Sequence, residues 1–184
     1  MTDAQGFLVV LKNPETLCSV ANKRYKGVNR MPCYRLANQD PIEAEVAAME
    51  YYIFEGVRDP KTGLIASREK AARLLGMFEH SPRAFELIWC RHVCDNETES
   101  AGGSKDREAV GKRLGFDVAG LGGDFWSIVA DLPEQGPVGR FAKRLNDCGL
   151  FGKVSDAREY LIEYQRLRLH DSDMAFAVLE VRGV

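Results

Sequence analysis

Apolar positions along this chain follow two periods, and the switches between them mark its elements. Phe7-Leu8-Val9-Val10-Leu11 is a continuous apolar run and predicts a short buried strand, ended by Asn13-Pro14-Glu15-Thr16. Asp40-Pro41 is a helix start, since aspartate caps and proline suits the first helical position. Ile42, Val46, Met49 and Ile53 then recur at helical spacing, which predicts a helix from Pro41 that ends near Tyr51. Ser67 predicts the cap of a second helix with Ala71, Leu74, Leu75 and Phe78 as its stripe, stopped by His80-Ser81-Pro82. Phe85 to Val93 is rich in aromatic and branched residues and predicts a long strand. A short helix is expected over Asp106 to Leu114, and another through Val138, Phe141, Ala142 and Leu145, ended at Gly149. Asp156 with Glu159 predicts a capping-box start to the last helix, which turns Ala157, Tyr160, Leu161, Tyr164 and Leu167 inward. Met174 to Val181 is the final strand.

Between these elements lie the turns. Asp59-Pro60-Lys61-Thr62-Gly63 predicts a tight turn, flanked by Val57 and Leu64 as a short hairpin. Asp95 to Lys105 is polar and glycine-rich, a flexible loop that cannot bury a core. Gly115 to Asp124 is expected as a glycine-shaped loop at the mouth of a sheet, with Phe125 to Val129 as a buried strand after it. An order of features also repeats. Gly63-Leu64-Ile65, a helix with Arg68-Glu69, His80 and a strand from Ala84 is echoed by Gly149-Leu150-Phe151, a helix with Arg158-Glu159, His170 and a strand from Ala175. Helix-then-strand units of this length are common, so chance likeness is the reading taken for the echo over duplication.

Together these predict an α+β fold: a mainly antiparallel sheet of about five strands with about four or five helices packed on it. Residues 1–184 are expected to form a single domain, with the flexible excursion near 95–105. A net charge of −2 gives no global basic field, so nucleic acid is not the expected partner. The basic segment Lys23, Arg24, Lys26, Arg30 and Arg35 is read as a solvated loop. No apolar run reaches the roughly 18 residues a membrane span requires, and no basic leader is present, so a cytoplasmic protein is expected. Five cysteines is an odd number without framework spacing, which suits free thiols.

Candidate chemistry is sparse. Cys90, His92 and Cys94 alternate along a predicted strand and so share a face, which raises a zinc site. The preferred reading is a half-buried face with inert thiols, because this is no familiar zinc spacing. His80 and His170 each end a helix and are read as structural. The glycine stretch fits no phosphate loop, dinucleotide fingerprint, calcium loop or nucleophile elbow. Asp117 and Asp124 would form a carboxylate pair if the glycines turn the chain back between them, which opens an enzyme reading, hydrolase or transferase, with or without a divalent metal. Phe116, Asp117, Leu121, Asp124, Phe125 and Trp126 serve equally as a binding loop, with large aromatics as anchors. The expectation is therefore a small non-catalytic interaction protein without a cofactor. One concrete form is an immunity or inhibitor protein that neutralises a bacterial partner enzyme. Oligomeric state is left open.

Overall fold

The computed structural model describes residues 4–11, 51, 56–79, 85–94, 97, 111–121, 126–129, 132–133, 135–169 and 175–184; the side chains of Leu11, Leu121 and Trp126 fall outside that description. The elements are β1 (Gln5–Leu11), α1 (Arg68–Gly76), β2 (Phe85–His92), β3 (Arg113–Leu121), β4 (Trp126–Ser127), a 3-10 helix (Gly139–Arg144), α2 (Val154–Arg166) and β5 (Ala175–Gly183). The class is α+β, with one antiparallel sheet in the order β1-β2-β5-β3-β4. Four strands are long. The fifth, β4, is a two-residue addition to the edge of β3, so four strands carry the sheet and the expected count of about five is reached only with this short edge piece.

The central strands explain the core. β2 and β5 have a neighbour on each side, and their residues Ile88, Trp89, Cys90 and Ala177 to Val181 are buried in unbroken runs. One face carries both helices. There α1 packs Ala71, Leu74 and Phe78 with Val9 and Leu87, while α2 packs Ala157 and Tyr160 with Phe116, Val118 and Val178. The opposite face holds Leu8, Val10, Ile88, Cys90, Ala119, Leu179 and Val181, met by Leu64 and Leu150. Phe141, Phe151 and Tyr160 form an aromatic knot under α2, and the Tyr160 hydroxyl donates to the Ile128 carbonyl at 2.9 Å.

Local signals hold where neighbours in sequence decide them. The Ser67 hydroxyl accepts from the Lys70 N–H at 3.3 Å and caps α1. The Asp59 turn closes by Gly63 N–H donating to the Asp59 carbonyl at 2.7 Å, with the Asp59 carboxylate accepting from Lys61 N–H.

Several expectations are corrected. Residues 122–124 of the expected loop lie outside the described residues, and Gly115 to Leu121 is not a loop but strand, because β3 runs through Leu121. Its Gly115 is a close-approach glycine: a Cβ there would stand 2.7 Å from Leu150 Cβ and 2.8 Å from the Phe151 carbonyl. Arg113 and Leu114 belong to β3 too, not to the end of a helix from Asp106. Of the strand expected over Phe125 to Val129, Trp126–Ser127 is strand and Ile128 and Val129 turn into the core, while Phe125 lies outside the described residues. The helix expected around Phe141 is a 3-10 helix, since Leu145 must already be extended to bridge Phe151. α2 has no capping box. It starts at Val154 after Lys153, and Asp156 and Glu159 instead bind Arg144 of the 3-10 helix. The basic segment from Lys23, most of the Pro41 helix, His80, His170, residues 106–110 and all of the 95–105 loop except Glu97 lie outside the described residues.

Candidate functional site

Among the described residues, Asp117 and Ser127 are polar side chains that the structure brings together at the expected site. Asp117 is 0 % exposed, on the face of β3 that also carries Ala119. Ser127 on β4 reaches it because Ala119 pairs with Ser127 across the edge ladder. The Ser127 hydroxyl donates to Asp117 Oδ1 at 2.7 Å, and Val118 N–H donates to the same oxygen at 2.8 Å. A carboxylate removed from water needs such donors, because each unmade bond costs about 1–3 kcal/mol. With Ile128 N–H donating to the Val118 carbonyl at 2.9 Å, the pair fastens the start of β4 to β3 on either side of the connection between them.

The other expected binding residues divide. Phe116 is 3 % exposed and packs in the core cluster under α2, so it is no surface anchor. This corrects the sequence expectation: Phe116 pairs with Phe151 on one side of β3 and with Glu180 on the other, which seats it inside the sheet. Leu121 and Trp126 are placed by backbone alone, as the end of β3 and the start of β4. Asp124 and Phe125 lie outside the described residues, so the Asp117–Asp124 pairing falls there as well.

Cys90, His92 and Cys94 do not converge. β2 ends at His92, so the alternation that would align Cys94 with the other two stops before it. Among the described residues no three His, Cys, Asp or Glu side chains are gathered as a metal ion requires. Burial, and then the nearby charge of Asp117, pushes the Cys90 thiol well above its ordinary value. It therefore stays protonated and inert as a nucleophile.

A second polar cluster went unforeseen. On the helix-bearing face, Glu180 of β5 stands opposite Arg91 of β2. Arg91 Nη2 donates to Glu180 Oε2 at 2.9 Å, and Arg182 Nε donates to Glu180 Oε1 at 3.0 Å. Arg91 also forks onto Glu97, at 2.9 and 2.7 Å. Arg158 of α2 donates to the carbonyls of Cys94 and Glu97. Burial alone would push the Glu180 carboxyl up, but the two arginines outweigh it and hold it below the usual carboxylate range. Burial likewise opposes the charge on Arg91, and Glu97 and Glu180 overcome it. The signal in the sequence was a charge that interrupts the apolar run of each central strand, Arg91 after Ile88-Trp89-Cys90 and Glu180 after Val178-Leu179, of opposite sign.

These contacts give Glu97 three anchors: its carboxylate on β2, its carbonyl on α2, and the Cys94 carbonyl beside it. The polar segment that begins here is thus rooted on rigid elements. Among the described residues no helix is long and apolar enough to cross a membrane. No family model, curated protein or solved structure matches this chain.

Proposed function

We propose that this is a non-catalytic binding protein whose partner is another protein, engaged through the acidic 95–105 segment and the β3–β4 turn. The observation that carries the reading is the grip of Arg91 and Arg158 on Glu97. It fixes the root of a polar segment to two elements of the scaffold, β2 and α2, the arrangement by which a stable fold presents a recognition loop. The Asp117–Ser127 bond fixes the second loop in the same way. Asn96-Glu97-Thr98-Glu99 suits a basic partner surface, where complementary charge raises the association rate. Leu121, Phe125 and Trp126 are the apolar anchors of this reading. An immunity or inhibitor protein acting in the bacterial cytoplasm fits this chemistry, as one domain with no cofactor.

The competing enzyme reading relies on Asp117 and Asp124. Asp117 is shut from solvent and bonded to Ser127 and Val118, so a substrate would have to displace those donors to reach it. The two readings separate experimentally. Removal of residues 98–104 together with Phe125→Ala is expected to abolish recovery of the partner in a pull-down from the source cells, at an unchanged unfolding midpoint. Undiminished recovery of every captured protein by that variant would sink the proposal. A stoichiometric divalent metal lost on Asp124→Asn would favour the enzyme instead.

A further inference from the structure

β1 and β3 begin alike and are met alike. Phe7 exchanges both backbone hydrogen bonds with Ile65, at 2.8 and 3.0 Å, and Phe116 does the same with Phe151, both at 2.9 Å. A Cβ on Gly6 would stand 2.8 Å from the Ile65 carbonyl and 2.9 Å from Leu64 Cβ, the counterpart of the crowding at Gly115 by Phe151 and Leu150. Gly63-Leu64-Ile65 leads into α1 and Gly149-Leu150-Phe151 into α2, on the same face of the sheet. At matching points these helices bury Ala71 and Ala157, then Leu74 and Tyr160. Each helix returns as a central strand.

The ladders agree pair for pair. Phe7 faces Trp89 and Val9 faces Leu87; Phe116 faces Glu180 and Val118 faces Val178. β2 and β5 then pair so that Trp89 faces Arg182 and Arg91 faces Glu180. This is the register of a local two-fold axis through the Cys90–Val181 pair, which carries Trp89 onto Glu180 and Arg91 onto Arg182. A slip of one residue would send every side chain to the opposite face, so two independent units have no reason to agree in register. With the strands so aligned, identities continue at the one spacing that relates Gly6-Phe7 to Gly115-Phe116: Val9 and Val118, Val20 and Val129, Gly27 and Gly136, Arg35 and Arg144, Leu36 and Leu145.

We infer that the chain is two copies of one folding unit joined in tandem, and that the Asp117–Ser127 clamp is an addition of the second copy that fastens the β3–β4 turn, not a requirement of the fold. The counterpart of Asp117 is Leu8, on the same face and also 0 % exposed. At the same spacing the counterpart of Ser127 is Cys18. The fold thus accepts an apolar residue at this strand position, and in the second copy a carboxylate is buried there at a desolvation cost its hydrogen bonds must offset. What those bonds hold is β4. The same comparison sets Trp89 against Glu180, so both buried acids of the described sheet belong to the second copy.

Two variants of the full chain test this. Asp117→Leu with Ser127→Cys transplants the first copy's pair into the second. The expected result is a cooperative fold with a midpoint within a few degrees of the native protein, and at least tenfold faster amide exchange at Ile128. A midpoint lowered by more than ten degrees would show the clamp to be a fold requirement, and unchanged exchange would show that it fastens nothing. The second variant exchanges the axis residues, Trp89→Glu with Glu180→Trp, which places the acid opposite Arg182 and the indole opposite Arg91. The exchange is expected to recover most of the stability that either single change removes. Additive losses would overturn the two-fold relation. Neither readout depends on a partner, whereas the pull-down above reads partner capture alone.

Discussion

Arg91 and Glu180 face each other across the two central strands, Nη2 to Oε2 at 2.9 Å, 89 positions apart in the sequence. Glu180 is 3 % exposed and takes arginines from both sides, Arg91 from the neighbouring strand and Arg182 from its own. Glu180→Leu removes the carboxylate that Arg91 and Arg182 share and leaves their guanidinium groups in a largely buried site. Breaking a buried pair from one side costs about 3–5 kcal/mol. Denaturant unfolding is expected to show a loss of that size, and a loss under about 1 kcal/mol would mean that water reaches the arginines freely.

The same pair sets an acid limit. The folded Glu180 carboxyl titrates below its ordinary value of about 4.3, because Arg91 and Arg182 outweigh its burial. As pH falls, the unfolded chain takes up this proton first. The stabilisation is complete above the ordinary value and is lost as pH drops through the folded one. Unfolding midpoints recorded at falling pH should therefore decline for the native protein below the ordinary carboxylate range. Glu180→Gln should decline less over that range from a lower start, and parallel curves would remove Glu180 as the source.

Two glycines separate close approach from mere looseness. A Cβ at Gly115 meets Leu150 Cβ at 2.7 Å and the Phe151 carbonyl at 2.8 Å, whereas one at Gly152 meets nothing within 4 Å. Gly115→Ala is expected to cost about 1–3 kcal/mol, from forced overpacking together with a φ of 155° that side-chain-bearing residues rarely adopt. Gly152→Ala should stay within about 0.5 kcal/mol of the native protein. Equal effects at the two sites would show that Leu150 and Phe151 can withdraw.

Cysteine labelling reads the buried face directly. Cys90 is 0 % exposed, and burial with the Asp117 charge keeps its thiol protonated. Alkylation at mildly alkaline pH, mapped by mass spectrometry, should modify Cys94 and Cys148 in the native protein and Cys90 only after unfolding. Early modification of Cys90 would place solvent against β2 and reopen a reactive role.

What the sequence by itself determined is local. The Ser67 cap, the Asp59 turn and the apolar runs of β1, β2 and β5 depend on residues within a few positions of one another, and short-range sterics and hydrogen bonding decide them. The opposite-sign charges in β2 and β5 were legible as residues but not as a pair, because strand order and register join them. The tertiary structure alone decided that Gly115 to Leu121 is a strand. A glycine reads as a turn until the chain that must pass beside it is known, and Leu150 and Phe151 are that chain. It also decided that Phe116 is core and Asp117 is sealed against Ser127, since period two says which residues share a face but not what covers it. The repeated order of features was present in the sequence, and matched register on both sides of the Cys90–Val181 pair is what gives it physical meaning.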